Sequence, residues 1–205
     1  MSTTKINVEC QDENDSKPEF DPNFNLELSE AFLPGRQLGY VRANDADLNA
    51  IITYSLGLAS QNYLNIDAQS GAITLTSSID REILDHLEVI IVASDGVHTT
   101  EWKKMVPVQD INDNAPIFPT PQFSFDILEN APRGAFVGKI EASDTDENDK
   151  ITYNFISDWG LDTFSIDPTS GIITLSGSSL DHESIEHYIL TVSASGIITV
   201  FLMIF

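Results

Sequence analysis

The chain has 205 residues, enough for one large domain or two of ordinary size, and its 32 acidic and 10 basic residues give a formal net charge of −22. Such a surface repels nucleic acid and anionic lipid, so we expect no nucleic-acid partner, and membrane attachment only through a parent segment outside this sequence. Disorder is excluded because 41% of the residues are hydrophobic and lie in short runs rich in Val, Ile and Leu.

The first predicted element is an acidic segment. Residues 12–20 read Asp-Glu-Asn-Asp-Ser-Lys-Pro-Glu-Phe, and Asn14 also begins a glycosylation sequon, for which we favour a ligand role over a glycan. No secretion signal precedes this segment, so we expect a fragment of a longer protein. The single cysteine, Cys10, excludes an internal disulfide and a thiolate zinc site, and we expect it to be a buried small residue on a strand.

Short strands are predicted after this segment. Residues 62–66 and 71–75 alternate between apolar and polar, residues 67–71 form a turn between them, and residues 87–93 are β-branched and mostly apolar. No stretch shows a sustained helical period with caps. About seven strands per hundred residues, with turns every 8–12 residues, is typical of an antiparallel sandwich of immunoglobulin type.

A second acidic segment follows these strands. Residues 110–118 read Asp-Ile-Asn-Asp-Asn-Ala-Pro-Ile-Phe and share the pattern Asp-x-Asn-Asp-x-x-Pro-x-Phe with residues 12–20. A flexible linker would be rich in Gly and Ser, whereas this segment concentrates side-chain oxygens, the ligands that calcium prefers. Zinc would need His or Cys. The four histidines do not cluster, and we expect surface or strand roles for His86, His98, His182 and His187.

The second half of the chain repeats the first at an offset near one hundred residues. Glu30 matches Glu129, and Ile-Thr-Tyr at residues 52–54 recurs at 151–153. We expect a preceding-repeat end and linker at 1–18, a repeat at 19–109, a linker at 110–116, and a repeat lacking its following linker at 117–205. The apolar run at 197–205 is far shorter than the ~20 residues that span a bilayer, so we predict a buried terminal strand.

The predicted fold class is therefore all-β. We expect two tandem seven-stranded antiparallel Greek-key β-sandwiches, immunoglobulin-like, arranged as an elongated rod. The Cys…Trp…Cys spacing of true immunoglobulin domains is absent. We take Trp102 and Trp159, which fall at non-equivalent positions of the two repeats, as packing residues.

The sequence resembles the extracellular repeats of cadherins over nearly its whole length. The motifs that carry the resemblance are Leu128-Glu129-Asn130, Asp144-Thr145-Asp146, Asp80-Arg81-Glu82, Ala93-Ser94-Asp95 and the linker from Asp110 to Asn114. The resemblance implies calcium-dependent adhesion on the extracellular side of the plasma membrane. The implied partners are other cadherin ectodomains, homophilic or heterophilic, and adjoining repeats of the same chain. Because no tryptophan precedes Trp102, we expect internal repeats of a protocadherin-like or giant multi-repeat member.

The resemblance also implies calcium ligands. At the central linker these are Glu30, Asp80, Glu82, Asp110, the carbonyl of Ile111, Asn112, Asp113, the carbonyl of Asn114, Asp144, Asp146 and a backbone carbonyl near Asn148. A weaker site near the start of the first repeat would use Asn14, Asp45, Asp47, Asn49 and Asp95. About three Ca²⁺ ions are expected at the central linker, or fewer because Ser195 aligns with Asp95 and supplies no carboxylate. Weak or no binding is expected at Glu129, Asp181 and Glu183.

Two functions remain open. The first is a spacer or force-bearing tether that calcium stiffens, because carboxylates so close together would repel one another without cations. The second is a direct adhesive or receptor–ligand contact with a partly flexible, calcium-poor linker. An enzyme is not expected, because the carboxylates lie in a linker and at domain ends, and no nucleophile elbow, phosphate loop or catalytic triad is present.

Overall fold

The structure is a computed structural model that describes residues 3–147, 150–156, 162–177, 180–196 and the backbone of 199–204. The chain divides into two compact units, Met1–Asp110 and Ile111–Phe205. Strands form nearly all the regular structure of both units, which confirms the all-β prediction.

The described residues of the first unit form nine strands and a short 3₁₀ turn at Ser60–Asn62. The strands are β1 (Glu19–Phe20), β2 (Leu28–Ser29), β3 (Gln37–Tyr40), β4 (Ala43–Asn44), β5 (Thr53–Leu56), β6 (Leu64–Ile66), β7 (Ala72–Leu75), β8 (His86–Ser94) and β9 (Thr99–Gln109). They form a four-stranded sheet in the order β2-β9-β8-β5, a three-stranded sheet β3-β7-β6, and a β1–β4 pair. All pairings are antiparallel except β2 with β9, which is parallel.

Alternation along the strands builds the core of the first unit. On β8, Leu87, Val89, Ile91 and Ala93 are buried, while the residues between them are only half-buried. Trp102 on β9 packs its ring edge-on against Phe24, with 4.9 Å between ring centroids. The predicted packing role of Trp102 is therefore confirmed, whereas Trp159 lies outside the described residues.

The second unit repeats this plan. Its strands are β10 (Phe136–Lys139), β11 (Thr152–Phe155), β12 (Phe164–Ile166), β13 (Ile172–Leu175), β14 (Leu190–Ser195) and β15 (Thr199–Ile204). They form two antiparallel sheets, β10-β13-β12 and β11-β14-β15. The terminal strand predicted at 197–205 is found as β15, and residues 197, 198 and 205 lie outside the described residues.

A tight turn between β6 and β7 recurs in both units. In the first, Asp67 Oδ1 accepts the backbone N–H and the hydroxyl of Ser70, at 2.8 and 2.7 Å. These hydrogen bonds, led by the one from the Ser70 backbone, lower the pKa of Asp67 below its usual value. Gly71 has φ +70°, and a Cβ there would lie 2.3 Å from the Val41 carbonyl oxygen, so only glycine fits.

Two further observations complete the fold. Cys10 is exposed, and the described residues before Glu19 form no strand. The expectation of a buried strand cysteine is therefore wrong, because its segment joins no sheet that could cover it. Among the described residues, no helix has the length and apolarity needed to cross a bilayer.

Candidate metal centres

Three carboxylates meet where β2 and β9 of the first unit end. Glu30 follows β2 and Asp110 follows β9, and the parallel pairing brings these two strand ends to the same edge, with Glu30 N–H donating to the Gln109 carbonyl at 3.2 Å. Glu82 comes from the loop before β8. One carboxylate oxygen from each of the three lies within 4.8 Å of the others. Oxygens on opposite sides of one calcium ion are up to roughly 5 Å apart, so this spacing suits calcium.

Arg81 contacts all three of these carboxylates. Its backbone N–H donates to Glu30 Oε2 at 2.8 Å, and its guanidinium, with 11% of the side chain exposed, pairs with Glu82 and Asp110. A fixed positive charge here reduces carboxylate repulsion. Sequence reasoning missed this role, although the position of Arg81 between two predicted ligands was a signal. Asp80 lies outside the trio, and its Oδ1 accepts the Ile83 N–H at 3.2 Å.

The second unit carries the matching trio. Glu129, Asp181 and Glu183 each place one oxygen within 4.8 Å of the others, and all three are exposed. The His182 N–H donates to Glu129 Oε2 at 3.1 Å, as the Arg81 N–H does to Glu30. The Ser184 hydroxyl, which donates to Asp181 Oδ2 at 2.6 Å, is the main cause of a lowered Asp181 pKa.

Another trio lies near the start of the first unit. Asp45 follows β4, Asp95 follows β8, and Asp47 lies in the loop after Asp45; one oxygen of each is within 4.8 Å of the others. The Asp47 N–H donates to Asp45 Oδ1 at 3.0 Å. Asp45 Oδ2 is buried and has no hydrogen-bond partner among the described residues. A buried anionic oxygen without a donor is costly unless a cation binds it.

None of the Asp95 side chain is exposed. Burial acts to raise its pKa. The backbone N–H groups of His98 and Val97 donate to Asp95 Oδ1 at 2.6 and 2.7 Å, and with His98 they bring the pKa below its usual value. Asp95 therefore stays ionised at neutral pH and can act as a ligand.

The acidic segment at residues 12–20 contacts the loop that carries this trio. Ser16 N–H donates to Asp47 Oδ2 at 2.9 Å, and Leu48 N–H donates to Asp12 Oδ2 at 2.6 Å. Asn14 and Asn49 line a cavity of about 370 Å³ together with Asp12, Asp47 and Asp95. Asn49 has φ +63°, a left-handed conformation that asparagine tolerates better than most residues.

His98 is a site residue that sequence reasoning missed. Its Nδ1 lies 3.2 Å from both Asn14 Oδ1 and Asp95 Oδ2, in the loop between β8 and β9. The hairpin turn directs the half-buried ring toward the carboxylates, and the expected surface or strand role of His98 stays a prediction. The available signal was its position three residues after a predicted ligand, Asp95.

The second unit has the matching arrangement around Asp146, which is only 7% exposed. Asn114 donates its backbone N–H to Asp146 Oδ2 at 2.9 Å and its Nδ2–H to Asp146 Oδ1 at 2.8 Å. The Asp146 N–H donates to Asp144 Oδ1 at 3.0 Å. Asp144 Oδ2, like Asp45 Oδ2, is buried without a hydrogen-bond partner among the described residues.

The other predicted ligands of this linker are Asp113, Ile111, Asn112 and Asn148. Asp113 Oδ1 accepts from Asn114 Nδ2 at 2.9 Å. Ile111 and Asn112 precede it in the same unit. Asn148 lies outside the described residues.

The alignment of Ser195 with Asp95 is wrong by one residue. Thr53 pairs with Ser94 on β8, and the equivalent Thr152 pairs with Ser195 on β14. Each threonine hydroxyl donates to the carbonyl of its serine partner, at 3.2 and 3.0 Å. Gly196, rather than Ser195, therefore follows the strand where Asp95 does, and the missing carboxylate is due to glycine.

These residues suit calcium. The clustered groups are carboxylate oxygens, which a hard cation prefers, and the equivalent aspartates of the two units each keep one buried oxygen without a donor in the described part of the chain. A substrate pocket is typically concave and mostly apolar, whereas these clusters are open and strongly acidic.

Comparison with known proteins identifies the relatives of the chain. A family model, "Cadherin domain", matches residues 24–109 and 123–196. Human protocadherin-23 is 35% identical over 174 residues, covering 84% of this chain and 5% of the relative, and mouse protocadherin Fat 4 is 32% identical, covering 93% and 4%. A crystal structure of mouse cadherin-23 EC22-24 superposes with a TM-score of 0.80 at 31% identity, covering 95% of this chain and 65% of that one. The chain thus spans about a twentieth of the length of these two curated relatives.

Proposed function

The chain belongs to the cadherin family, and from this premise we propose that it serves calcium-dependent cell adhesion or tethering. In this proposal the two repeats are part of an ectodomain, and calcium bound at the linker makes them a stiff spacer or force-bearing element. They stand on the extracellular side of the plasma membrane. Other cadherin ectodomains, homophilic or heterophilic, are the proposed partners, with adjoining repeats of the same chain as neighbours.

Membership of the family carries two plain consequences. Cadherin repeats bind calcium, and the chain has acidic clusters in the positions described. Cadherin repeats are adhesion modules and not enzymes, so the expectation that this chain is not an enzyme is confirmed by the family match.

One observation carries the calcium proposal. Asp45 Oδ2 and Asp144 Oδ2 are buried at equivalent places of the two repeats, and neither has a donor among the described residues. In the part of the chain that the structure describes, no Lys or Arg forms an ion pair with Asp144 that could replace a cation. A divalent ion would satisfy the oxygen and offset repulsion between nearby carboxylates.

The ligand assignment at the linker remains a proposal based on the family resemblance and the contacts within each unit. The proposed ligands in the first unit are Glu30, Asp80, Glu82 and Asp110. Those in the second are Ile111, Asn112, Asp113, Asn114, Asp144, Asp146 and Asn148. We propose about three Ca²⁺ ions, and repeat boundaries of 19–109 and 117–205 with a linker at 110–116.

A second candidate function has one observation in its favour. Gly196 stands where Asp95 stands in the first repeat, so the second repeat offers one carboxylate fewer. Calcium affinity depends on ligand charge, so the linker could bind fewer ions and bend. The chain would then act through direct adhesive or receptor–ligand contact rather than as a stiff spacer.

Calcium titration separates the two functions. The thermal midpoint and the sedimentation coefficient are followed from chelator to millimolar calcium, the range in which extracellular modules bind, with dissociation constants of about 10⁻⁴–10⁻³ M. A stiff spacer predicts a higher midpoint and slower sedimentation, and Asp113→Ala removes both. The matched control is Asp126→Ala, an exposed aspartate outside the clusters, which leaves both responses intact. Calcium that changes neither quantity in the unaltered chain would favour the flexible alternative.

A further inference from the structure

One imidazole connects the acidic segment at residues 12–20 to the sandwich of the first repeat. His98 Nδ1 lies 3.2 Å from Asn14 Oδ1 and 3.2 Å from Asp95 Oδ2. Asn14 precedes β1, whereas Asp95 and His98 form part of the loop that joins β8 and β9. The ring therefore bridges parts of the chain that are 84 residues apart in sequence.

The chemistry of Asp95 fixes which atom donates. The backbone N–H groups of Val97 and His98 donate to its Oδ1 at 2.7 and 2.6 Å, and such hydrogen bonds favour the ionised carboxylate. An ionised carboxylate can only accept hydrogen bonds. His98 Nδ1 therefore carries the hydrogen, and the Asn14 atom that faces it must be the amide oxygen.

Two more contacts hold the same segment. Leu48 N–H donates to Asp12 Oδ2 at 2.6 Å, and Ser16 N–H donates to Asp47 Oδ2 at 2.9 Å. Together with His98, these contacts fasten the segment near its beginning, middle and end. Each one joins a protein donor to a protein acceptor, so none of them requires an ion.

We propose that His98 is a clasp that keeps residues 12–16 on the first repeat when calcium is absent. The ring supplies a donor to two oxygens, on Asn14 and Asp95, that would otherwise be drawn together only by a cation. This inference goes beyond the proposed function, because it concerns the ion-free chain and holds whether or not calcium stiffens the linker.

The second repeat serves as an internal reference because its sequence differs at the corresponding place. Residues 95–98, Asp-Gly-Val-His, separate β8 from β9, whereas residues 196–198, Gly-Ile-Ile, separate β14 from β15. The sequence of this second stretch contains neither a carboxylate nor an imidazole side chain. Asn114 N–H still donates to Asp146 Oδ2 at 2.9 Å, which matches the Ser16 contact without the clasp.

Amide hydrogen exchange of the full chain in a calcium chelator tests the clasp. The reporters are the Ser16 and Leu48 amides, with the Asn114 amide as reference. In the unaltered chain we expect Ser16 and Leu48 to be protected. In His98→Ala we expect both to exchange about three- to tenfold faster, the factor that loss of one hydrogen bond gives, while Asn114 is unchanged.

Two further variants keep the test decisive. Asn14→Ala removes the other end of the clasp from an exposed position, and should give the same acceleration with no further gain in the double variant. His86→Ala is the matched control, because His86 contacts its neighbour Asp85 at the opposite end of β8. If His98→Ala disturbs the folding of the repeat around β8, the Asn14→Ala variant decides whether the clasp exists.

Three results would overturn the clasp. These are unprotected Ser16 and Leu48 amides in the unaltered chain, no acceleration in Asn14→Ala, and accelerations that add in the double variant. A chain with the clasp but no calcium response would refute only the proposed function. A calcium response without any His98 dependence in chelator would refute only the clasp.

Discussion

The ring of Phe125 lies directly on Gly138 of β10. A Cβ built on Gly138 would lie 2.4 Å from two ring carbons of Phe125 and 2.6 Å from a third. The same ring stacks on Phe123, with 6.2 Å between centroids and 10° between planes. The second repeat thus fills with an aromatic ring the space that a side chain at residue 138 would need.

Gly138→Ala should therefore destabilise the second repeat. The added methyl group forces the Phe125 ring away from its packing, and overpacking of this kind costs about 1–3 kcal/mol. Denaturant unfolding of the variant measures the loss. Phe125→Leu, which installs the residue type of the matching Leu26, should recover most of it in the double variant. An equal loss in the presence of Phe125→Leu would show that the ring is not the cause.

Asp45→Asn should change stability and calcium affinity in opposite directions. In chelator, the carboxylates of Asp45, Asp47 and Asp95 repel one another at distances within 4.8 Å, about 1 kcal/mol per pair in water, so neutralising one raises the thermal midpoint. Loss of a charged ligand should also weaken calcium binding roughly tenfold, as measured by calorimetry. Glu101→Gln, an exposed change on the same repeat, is the control and should do neither. A lower midpoint in chelator would contradict the repulsion.

Gly196→Asp should strengthen calcium binding by the second repeat. It restores a carboxylate where Asp95 stands in the first repeat. Ser195→Asp is the informative comparison, because the Ser195 hydroxyl lies 3.1 Å from the Thr152 hydroxyl and its position is that of Ser94. We expect no gain from Ser195→Asp. If Ser195→Asp alone strengthened calcium binding, the alignment of Ser195 with Asp95 would be correct after all.

Asp67 should stabilise the chain at neutral pH and lose that effect in acid. Hydrogen bonds from Ser70 lower the folded-state pKa of Asp67, so the folded state binds a proton less readily than the unfolded state. The stabilisation is therefore complete above the unfolded pKa of about 3.9, and disappears as the pH falls through the lower folded pKa. Asp67→Asn should lower the urea midpoint at pH 7 and reduce its fall toward pH 3.

The control for this pH effect is Asp126→Asn, an exposed aspartate in the second repeat. Its urea midpoint should follow that of the unaltered chain at both pH values. An Asp67→Asn variant with an unchanged pH dependence would show that the turn does not carry the acid sensitivity.

The sequence predicted the strands and the acidic segments for a physical reason. Alternation along residues 71–75 reflects one buried face, and the β-branched, mostly apolar run at 87–93 is typical of a strand. A turn that needs Asp67 and Gly71 leaves a recognisable motif. The carboxylates at the ends of β2 and β9 were also predictable, because they belong to repeated motifs.

Other features depend on long-range geometry that the sequence does not encode locally. The equivalence of Ser195 with Ser94 emerges only from strand register, since Val, Ala and Ser recur close together in both segments. The roles of His98 and Arg81 require knowing which loops meet in space. Cys10 was misjudged because its typical burial was applied to a segment outside any sheet.

The parallel pairing of β2 with β9 has a mechanical consequence. Leu28 pairs with Val108 and Ser29 with Gln109, and β2 lies near the beginning of the first repeat while β9 ends it. Tension applied at the two ends of the repeat pulls β2 toward its N-terminal end and β9 toward its C-terminal end. Because the strands are parallel, these pulls are opposite along one axis. They load the hydrogen bonds between the strands in shear, all at once, instead of opening them one at a time. Single-molecule extension between these ends measures the effect, and yielding at negligible force would contradict it.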